Sequence, residues 1–485
     1  MAEKSKTSFS SSTQDDSVSR PDVPIHKPRD SLLSHSSGFN NYRGFLNLCI
    51  VLLGMSTSRL VLENLIKYGI IMDPIMWVSI FLQDPYSWPN LTLLIILSGF
   101  ILYAFWLEKL ISKKAINERT MTVLVTLNVM TVFVFPVVVI VYYKPNPVGS
   151  FVSLGTYSIV FLKLISYAAV NKWCRDAQSS VSRKTKKNIT NGDGSLSRHS
   201  PRRHSTPQPR KRVSNRRVSE GSNVDANGGQ TEQLVEYPDN LTLHDMCYFM
   251  MVPTLCYELN FPRTKRIRKR FLIRRAIELV FLVQLCLCLV QQWIVPTVLN
   301  ALAPFTSLDT KRMLERVLKL AVPNHICWLI FFYSFFHSWL NVLGEVTKFA
   351  DRNFYQDWWN AETIAYFWKN WNIPVHKWCL RHIYIPLRSK GIDQQKAQMI
   401  VFLVSAIFHE YLVSIPLQMF RLWAFWGMMA QLPLAKLTSN VKGHWGNILV
   451  WLSLIIGQPV ALLMYFHDYY VMHAATNLNS TSTTP

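Results

Sequence analysis

The chain has 485 residues and a formal net charge of +22, and its polar and apolar residues are concentrated in different parts of the sequence. Residues 1–38 and 176–234 are rich in Ser, Arg, Asn and Gly and poor in aromatics. Such segments bury too little surface to offset the entropy of ordering, so we expect both to be disordered. The distribution argues against three soluble domains and indicates one membrane body with polar appendages.

Much of the charge lies in one loop. Between Arg183 and Arg217 there are twelve Lys or Arg residues and a single acid, Asp193. Beside membrane spans, a basic cytosolic loop is the usual positive-inside signature, so we expect no nucleic-acid partner. The eight cysteines include no CxxC pair, and we expect neither a metal site nor structural disulfides.

Nine apolar runs of helical length predict an all-α polytopic membrane protein whose helices form a bundle. Several runs contain Pro, Asn, Gln or a charged residue, which lipid-facing helices tolerate poorly. We therefore expect these positions to face an internal cavity. The runs are residues 45–71, 91–107, 121–143, 148–167, 276–296, 318–343, 399–417, 422–437 and 446–466.

The loop charges predict the orientation of these spans. A cytosolic N-terminus followed by four spans returns the basic stretch from Arg183 to Arg275 to the cytosol. Residues 344–398 are then cytosolic and interfacial, and the tail at 474–485 is lumenal. This divides the membrane body into N-terminal helices at 39–175 and a core at 235–473.

Four histidines lie in or at the apolar runs, and His409 is the most informative. A single intramembrane histidine most often makes an interhelical hydrogen bond. His409, however, lies in the middle of MIVFLVSAIFHEYLVSIPL, beside Glu410. On a helix Glu410 points about 100° away from it, so we expect Glu410 to bind a neighbouring helix or a substrate headgroup. The other three are His325, His337 and His467.

Ser405 shares the helix face of His409 and raises the possibility of a serine nucleophile. A helical serine usually bonds the carbonyl group four residues earlier, and no GxSxG motif surrounds this one. We therefore favour a mechanism without an acyl-serine intermediate.

Residues 354–386 contain five tryptophans among tyrosines, prolines and charges, which is typical of an interfacial element. Ile373 precedes a proline, so Trp371 and Asn372 are expected in a turn, with Pro374 at the first position of a short helix. One face of that helix carries cations and an aromatic ring that suit either coenzyme A or anionic headgroups. These residues are Lys377, Arg381, Tyr384 and Arg388.

Three motifs together resemble the acyl-CoA:sterol and acyl-CoA:diacylglycerol branch of the membrane-bound O-acyltransferases. They are FYQDWWN at 354–360, NWNIPVHKW at 370–378 and FHEY at 408–411. Other segments, among them SGFNNYRG, DPYSWP and LSLIIGQP, are more similar to the diacylglycerol enzymes, over residues 37 to about 473.

The resemblance implies an intramembrane cavity with the family histidine at His409 and the family asparagine at Asn372. It implies acyl transfer from acyl-CoA, a substrate, to diacylglycerol in the endoplasmic reticulum membrane, without a cofactor and by a homodimer or homotetramer. Sterol or retinol esterification remains an alternative, as does a non-enzymatic lipid transporter. The resemblance also places in the reaction chamber Trp371, Glu410, Met428, Gln431 and Gln458, and near acyl-CoA Lys377, Arg381 and Tyr384.

The basic stretch from Arg263 to Arg275 directly precedes a predicted span. It fits an acyl-CoA phosphate site, although juxtamembrane anchoring is the more common role of such a stretch.

Overall fold

The computed structural model describes residues 88–190, 234–294, 297–298 and 310–481, together with residues 26–34, 37, 39, 41–45, 47–49, 51–52 and 55. Regular structure within these residues is helical, and the β features are two isolated bridges, Arg29 with Asp351 and Arg263 with Phe349. The all-α prediction is confirmed.

Three long helices form the first part of the bundle: α1 (Trp88–Ser112), α2 (Glu118–Tyr143) and α3 (Pro147–Thr190). Polar side chains join them through main-chain carbonyl groups. The Tyr157 hydroxyl donates to the Leu93 carbonyl at 2.7 Å, and Asn128 Nδ2 donates to the Phe100 carbonyl at 3.2 Å. Such bonds satisfy polar groups where water is scarce.

The second part alternates long and short helices. It comprises α4 (Leu243–Met251), α5 (Lys269–Leu289), α6 (Thr310–Phe332), α7 (Leu340–Val346), α8 (Ile364–Asn370), α9 (Ile373–Cys379), α10 (Ile385–Ser389), α11 (Gln394–Leu417), α12 (Trp423–Met429), α13 (Gln431–Thr438) and α14 (Gly443–Thr481). Three π-helical turns, Val290–Ile294, Tyr333–Trp339 and Leu380–Tyr384, follow α5, α6 and α9.

Six helical stretches of the described chain are long and apolar enough to cross a membrane: Pro89–Ser112, Glu118–Tyr143, Pro147–Ser180, Lys311–Val346, Gln394–Leu417 and Gly443–Tyr469. The predicted span at 45–71 lies largely outside the described residues. The one at 276–296 is helical as α5 and its π-helical turn, but α5 is not among the six.

The predicted span at 422–437 is wrong. This stretch forms two short helices, α12 and α13, and neither approaches the roughly 20 residues that a span needs. Of its apolar side chains Met428 is buried, whereas Leu422, Trp426 and Leu437 are exposed.

An aromatic core joins the polar segment between α7 and α11 to the membrane helices. The rings of Trp358, Trp359 and Trp451 are completely buried. Trp358 lies 4.8 Å from Phe332 of α6 and 5.5 Å from Trp451 of α14, measured between ring centroids. Burial of such large rings fixes the segment on the bundle.

The N-terminal segment enters this assembly earlier than its composition suggests. The main-chain N–H of His26 donates to Glu258 at 2.7 Å, and its ring lies 3.0 Å from the Cys256 carbonyl oxygen. Ser31 is also buried. Ordered structure therefore begins before the predicted boundary at residue 38, because partners distant in sequence satisfy these polar groups. Residues 1–25 lie outside the described residues.

Two other predicted boundaries move. Helix α3 continues to Thr190, into the insert predicted to be disordered from residue 176, while residues 191–233 lie outside the described residues. Helix α14 continues to Thr481, past the predicted end of the core at residue 473.

A buried lysine fixes α4 to α3. Lys163 is 3% exposed, and its ammonium group donates to the carbonyl oxygens of Phe249, Met250 and Val252 at 2.8, 2.8 and 2.9 Å. These carbonyl groups lie at the C-terminal end of α4, where a helix has unpaired acceptors and the negative end of its dipole. One side chain thus satisfies three acceptors at once.

Replacement of Lys163 by Met should lower the free energy of unfolding by roughly 3 kcal/mol or more, because three buried carbonyl groups lose their donor. The measurement is the thermal midpoint of the purified protein in detergent. Lys172→Met, at an exposed position of the same helix, is the control and should unfold like the wild type. Equal midpoints for both variants would contradict this role of Lys163.

Candidate active site

The imidazole ring of His409 is held at one nitrogen. Its Nδ1 lies 2.7 Å from the carbonyl oxygen of Ser405, one turn earlier in α11. Because a carbonyl oxygen only accepts hydrogen bonds, Nδ1 carries the proton, and in the neutral ring Nε2 keeps its lone pair. The side chain is exposed although Ala406 and Glu410 beside it are buried. Helix α11 therefore presents a proton acceptor on an accessible surface.

The His409 face of α11 points toward the segment that carries Asn372. Phe402, two turns before His409 on the same side of the helix, packs edge-on against Trp368 of α8 at 6.1 Å. Asn372 then caps α9, since its Oδ1 accepts from the Val375 N–H at 3.3 Å. The cap uses the oxygen and leaves the Nδ2 hydrogens for another acceptor. Within the described residues no hydrogen bond joins Asn372 to His409.

Trp371 lies in the predicted turn between α8 and α9, as part of an aromatic cluster. Its ring stacks on Phe367 at 6.0 Å and on Trp328 of α6 at 6.1 Å. Pro374 takes the second position of α9, one residue later than predicted. The turn therefore places Asn372 next to an aromatic cluster that contains residues of α6 and α8.

Glu410 holds α12 in place. Its Oε1 accepts from the Ser414 hydroxyl and from the Leu422 N–H at 2.9 Å. Its Oε2 accepts from the Phe425 N–H at 3.1 Å and from the Tyr465 hydroxyl at 2.8 Å. A carboxylate has about four lone-pair sites, so these donors occupy all of them. Of the two predicted roles for Glu410, the structure supports binding to a neighbouring helix.

The three other predicted chamber residues have different surroundings. Met428 is buried on α12. Gln431 is half-buried at the start of α13, and its Nε2 lies 3.5 Å from the Gly427 carbonyl oxygen. Gln458 of α14 accepts from Asn324 of α6 at 3.3 Å through Oε1, which leaves its amide hydrogens as donors.

A groove of about 450 Å³ between α1 and α2 is separate from these residues. It is lined by Phe100, Tyr103 and Asn128, among others. None of the predicted site residues lines it.

Two of the three cations predicted to share one helix face instead make contacts inside the protein, while Arg388 is exposed on α10. Lys377 forms a 2.7 Å ion pair with Asp351, and buried Arg381 donates to the Tyr257 carbonyl oxygen at 3.1 Å. The π-helical turn Leu380–Tyr384 separates α9 from α10 and changes the angular spacing of their side chains. Tyr384 is half-buried at the end of that turn.

The buried Asp351 carboxyl group contacts His26 as well as Lys377. Burial raises its pKa, but the hydrogen bond to His26 and the charge and hydrogen bond of Lys377 outweigh burial and lower the pKa to about 2. A depressed pKa stabilises the fold above the unfolded value of about 3.9, and that contribution is lost as the pH falls toward 2. The ion pair therefore persists at physiological pH.

His376 is a further candidate active-site residue, and it was not predicted from the sequence. It lies four residues after Asn372 and therefore on the same face of α9. Burial lowers the pKa of its imidazole to about 4, with a smaller contribution from the nearby cation of Lys369. The ring is thus neutral at physiological pH. The four-residue spacing of Asn372 and His376 within NWNIPVHKW is the sequence feature that could have identified it.

Two of the three other histidines, His325 and His337, are interior groups, whereas His467 is half-buried with its Nδ1 3.2 Å from Asp468. His337 lies 2.7 Å from the Tyr355 hydroxyl through Nδ1. His325 is fully buried between the rings of Trp328 and Trp451, at 5.2 and 5.5 Å. These contacts distinguish both from His409, whose ring is exposed.

Replacement of Lys377 by Met should leave Asp351 buried without its ammonium partner and lower the free energy of unfolding by about 3 kcal/mol. The double variant Lys377→Met, Asp351→Asn should recover part of this loss, because it removes both charges. Denaturant unfolding of the four proteins of this double-mutant cycle measures the coupling. Additive losses would show that the pair contributes nothing as a pair.

Comparison with known proteins agrees with the motifs. The membrane-bound O-acyltransferase family matches residues 114–467. The chain is 51% identical over 454 residues to diacylglycerol O-acyltransferase 1 of Bos taurus, which covers 93% of this chain and 86% of the relative. It is 50% identical to diacylglycerol O-acyltransferase 1 of Homo sapiens, covering 93% and 85%, and 37% identical to diacylglycerol O-acyltransferase 1C of Glycine max, covering 93% and 80%. The resemblance is confirmed: this multi-pass acyltransferase belongs to the membrane-bound O-acyltransferase family.

Proposed function

We propose that the chain transfers an acyl group from acyl-CoA to the free hydroxyl of 1,2-diacylglycerol, giving triacylglycerol and CoA. The observation that carries this proposal is the hydrogen bond from His409 to the Ser405 carbonyl, which leaves Nε2 as an accessible base. The relatives named diacylglycerol O-acyltransferase support the choice of acceptor.

In the proposed step the hydroxyl oxygen attacks the thioester carbon while its proton passes to Nε2 of His409. The new C–O bond forms, the C–S bond breaks, and the imidazolium returns the proton to the departing thiolate of CoA. An alcohol is far less acidic than imidazolium, whose reference pKa is about 6.5, so proton transfer accompanies attack. No covalent enzyme intermediate is required.

The negative charge that develops on the thioester oxygen needs hydrogen-bond donors. Asn372 and Gln458 both use their amide oxygen within the protein and retain amide hydrogens. Either can donate to the developing oxyanion, and such a bond is stronger away from water. Trp371, Met428 and Gln431 complete the proposed chamber, and the half-buried Tyr384 is the proposed contact for acyl-CoA.

We place the enzyme in the endoplasmic reticulum membrane as a homodimer or homotetramer, with a cytosolic N-terminus and a lumenal C-terminus. The twelve cations between Arg183 and Arg217 support this orientation, because basic loops remain cytosolic. Acyl-CoA then approaches from the cytosol and diacylglycerol from the bilayer.

His409→Ala should reduce kcat on the order of 10²-fold or more, since general-base catalysis contributes about that much. Purified protein is assayed with radiolabelled acyl-CoA and a choice of diacylglycerol, cholesterol or retinol. Diacylglycerol should be the preferred acceptor. Activity above about a tenth of wild type in folded His409→Ala would remove the general-base role.

Ser405→Ala is the matched control, because it removes the hydroxyl but keeps the carbonyl that orients His409. Its activity should be near that of the wild type. An inactive Ser405→Ala, together with acyl-enzyme trapped in the wild type, would favour a covalent route instead.

We assign Glu410 a positioning role, because its acceptor sites are filled by protein donors. It sets α12, which carries Met428, relative to the helix of His409. Tyr465 shares this role, since its hydroxyl donates to Glu410 and accepts from the Ala424 N–H at 2.9 Å.

Glu410→Gln should lower kcat on the order of tenfold or more with little change in KM for acyl-CoA, because an amide opposes the N–H groups of α12 and shifts the chamber. Tyr465→Phe should give a smaller loss of the same kind. Ser453→Ala, which removes a bond within α14 only, is the control. A raised KM for diacylglycerol with unchanged kcat in Glu410→Gln would indicate substrate binding rather than positioning.

A further inference from the structure

Four basic side chains at the start of α5 have no carboxylate partner within the residues that the structure describes. They are Lys265, Arg266, Lys269 and Arg270, and all are exposed. Of the nearby acids, Glu345 and Glu278 are paired with other cations, and the charge of Asp30 acts on Arg268 and Arg352. Glu345 pairs with Arg268 at 3.0 Å, and Glu278 pairs with Arg274 and Arg275 at 3.1 and 2.6 Å.

Helix stability does not explain this cluster. Helix α5 begins at Lys269, and its first turn contains no acidic residue. Cations in the first turn oppose the positive end of the helix dipole and destabilise the helix. Four unpaired cations at this position therefore indicate that an anion from outside the described residues binds there.

An exposed apolar stripe continues from the cluster along the same face of α5. It consists of Ile273, Ile277, Val280 and Phe281, whose side chains are 59%, 64%, 71% and 64% exposed. At 100° per residue, this stripe falls with Lys269 and Arg270 within about 120° of the helix surface. Cations and apolar side chains thus form one continuous surface.

The dimensions of this surface match one leaflet of a bilayer. Ile273 and Phe281 are eight residues apart, which is about 12 Å along a helix. Half of a hydrocarbon core is about 15 Å thick. An acyl chain lying on the stripe would therefore place its headgroup beside the cations.

We propose that this surface, the α5 lipid site, binds a glycerophospholipid with an anionic headgroup. The phosphate lies among the four cations, and one acyl chain lies along the apolar stripe. The packing of α5 favours this occupant over acyl-CoA. Helix α5 packs against α6, α7 and the π-helical turn Tyr333–Trp339, whereas the helix of His409 packs against α3 and α12.

The test is a lipid titration of the full-length protein, delipidated in neutral detergent, with bound dioctanoyl phosphatidylserine counted by native mass spectrometry. Changing all four cations to Gln should weaken apparent affinity at least about tenfold, because each basic residue near an anionic lipid contributes appreciably. Lys269→Gln with Arg270→Gln should give an intermediate loss. The control changes Lys113, Lys114, Lys390 and Lys396 to Gln, which alters net charge equally, and should bind like the wild type.

Soluble competitors identify the source of the phosphate. Glycerophosphoserine, which lacks acyl chains, should fail to displace the lipid at equal concentration, and so should free coenzyme A. Displacement by coenzyme A would assign the cations to acyl-CoA and overturn the proposal. Equal loss of binding in the control variant would reduce the effect to net charge and also overturn it.

Discussion

The carboxylate of Glu410 connects its own helix, α11, with the next helix, α12, and with α14, whose Tyr465 lies 55 residues later. It lies on α11, accepts two main-chain N–H groups at the start of α12, and accepts the Tyr465 hydroxyl of α14. Helix α12 has only seven residues, too few to be stable alone, so its position depends on outside partners. A buried carboxylate in turn requires several donors. Helix α12 therefore supplies hydrogen-bond donors to the Glu410 carboxylate, and the carboxylate fixes the position of α12.

The same constraint separates the roles of the neighbours His409 and Glu410. A charged group inside the bundle must be fully paired, and the pairing leaves Glu410 no acceptor site for a ligand. A neutral imidazole needs only one partner, and the Ser405 carbonyl supplies it from within the same helix. The second nitrogen then stays available. Of the two neighbours, His409 is thus the one that keeps an acceptor atom without a partner inside the helix.

The sequence predicted what depends on local pattern. Apolar length identified the long helices, and the proline after Ile373 identified the turn that carries Asn372. Partners distant in sequence were not predictable. The burial of His26 depends on residues some 230 and 325 positions away. The apolar run at 422–437 resembles a span in the sequence, because the contact of Glu410 with its first turn is visible only in the structure.

The π-helical turn Leu380–Tyr384 explains why one prediction about side-chain direction failed. Uniform helical spacing puts Lys377, Arg381 and Tyr384 on a common face. The wider turn breaks that spacing, and Arg381 points inward to the Tyr257 carbonyl oxygen. With Lys377 also paired inside the protein, Tyr384 is the residue of this group left at the edge of the segment. Such single turns are frequent at functional sites, because they redirect a side chain without ending the helix.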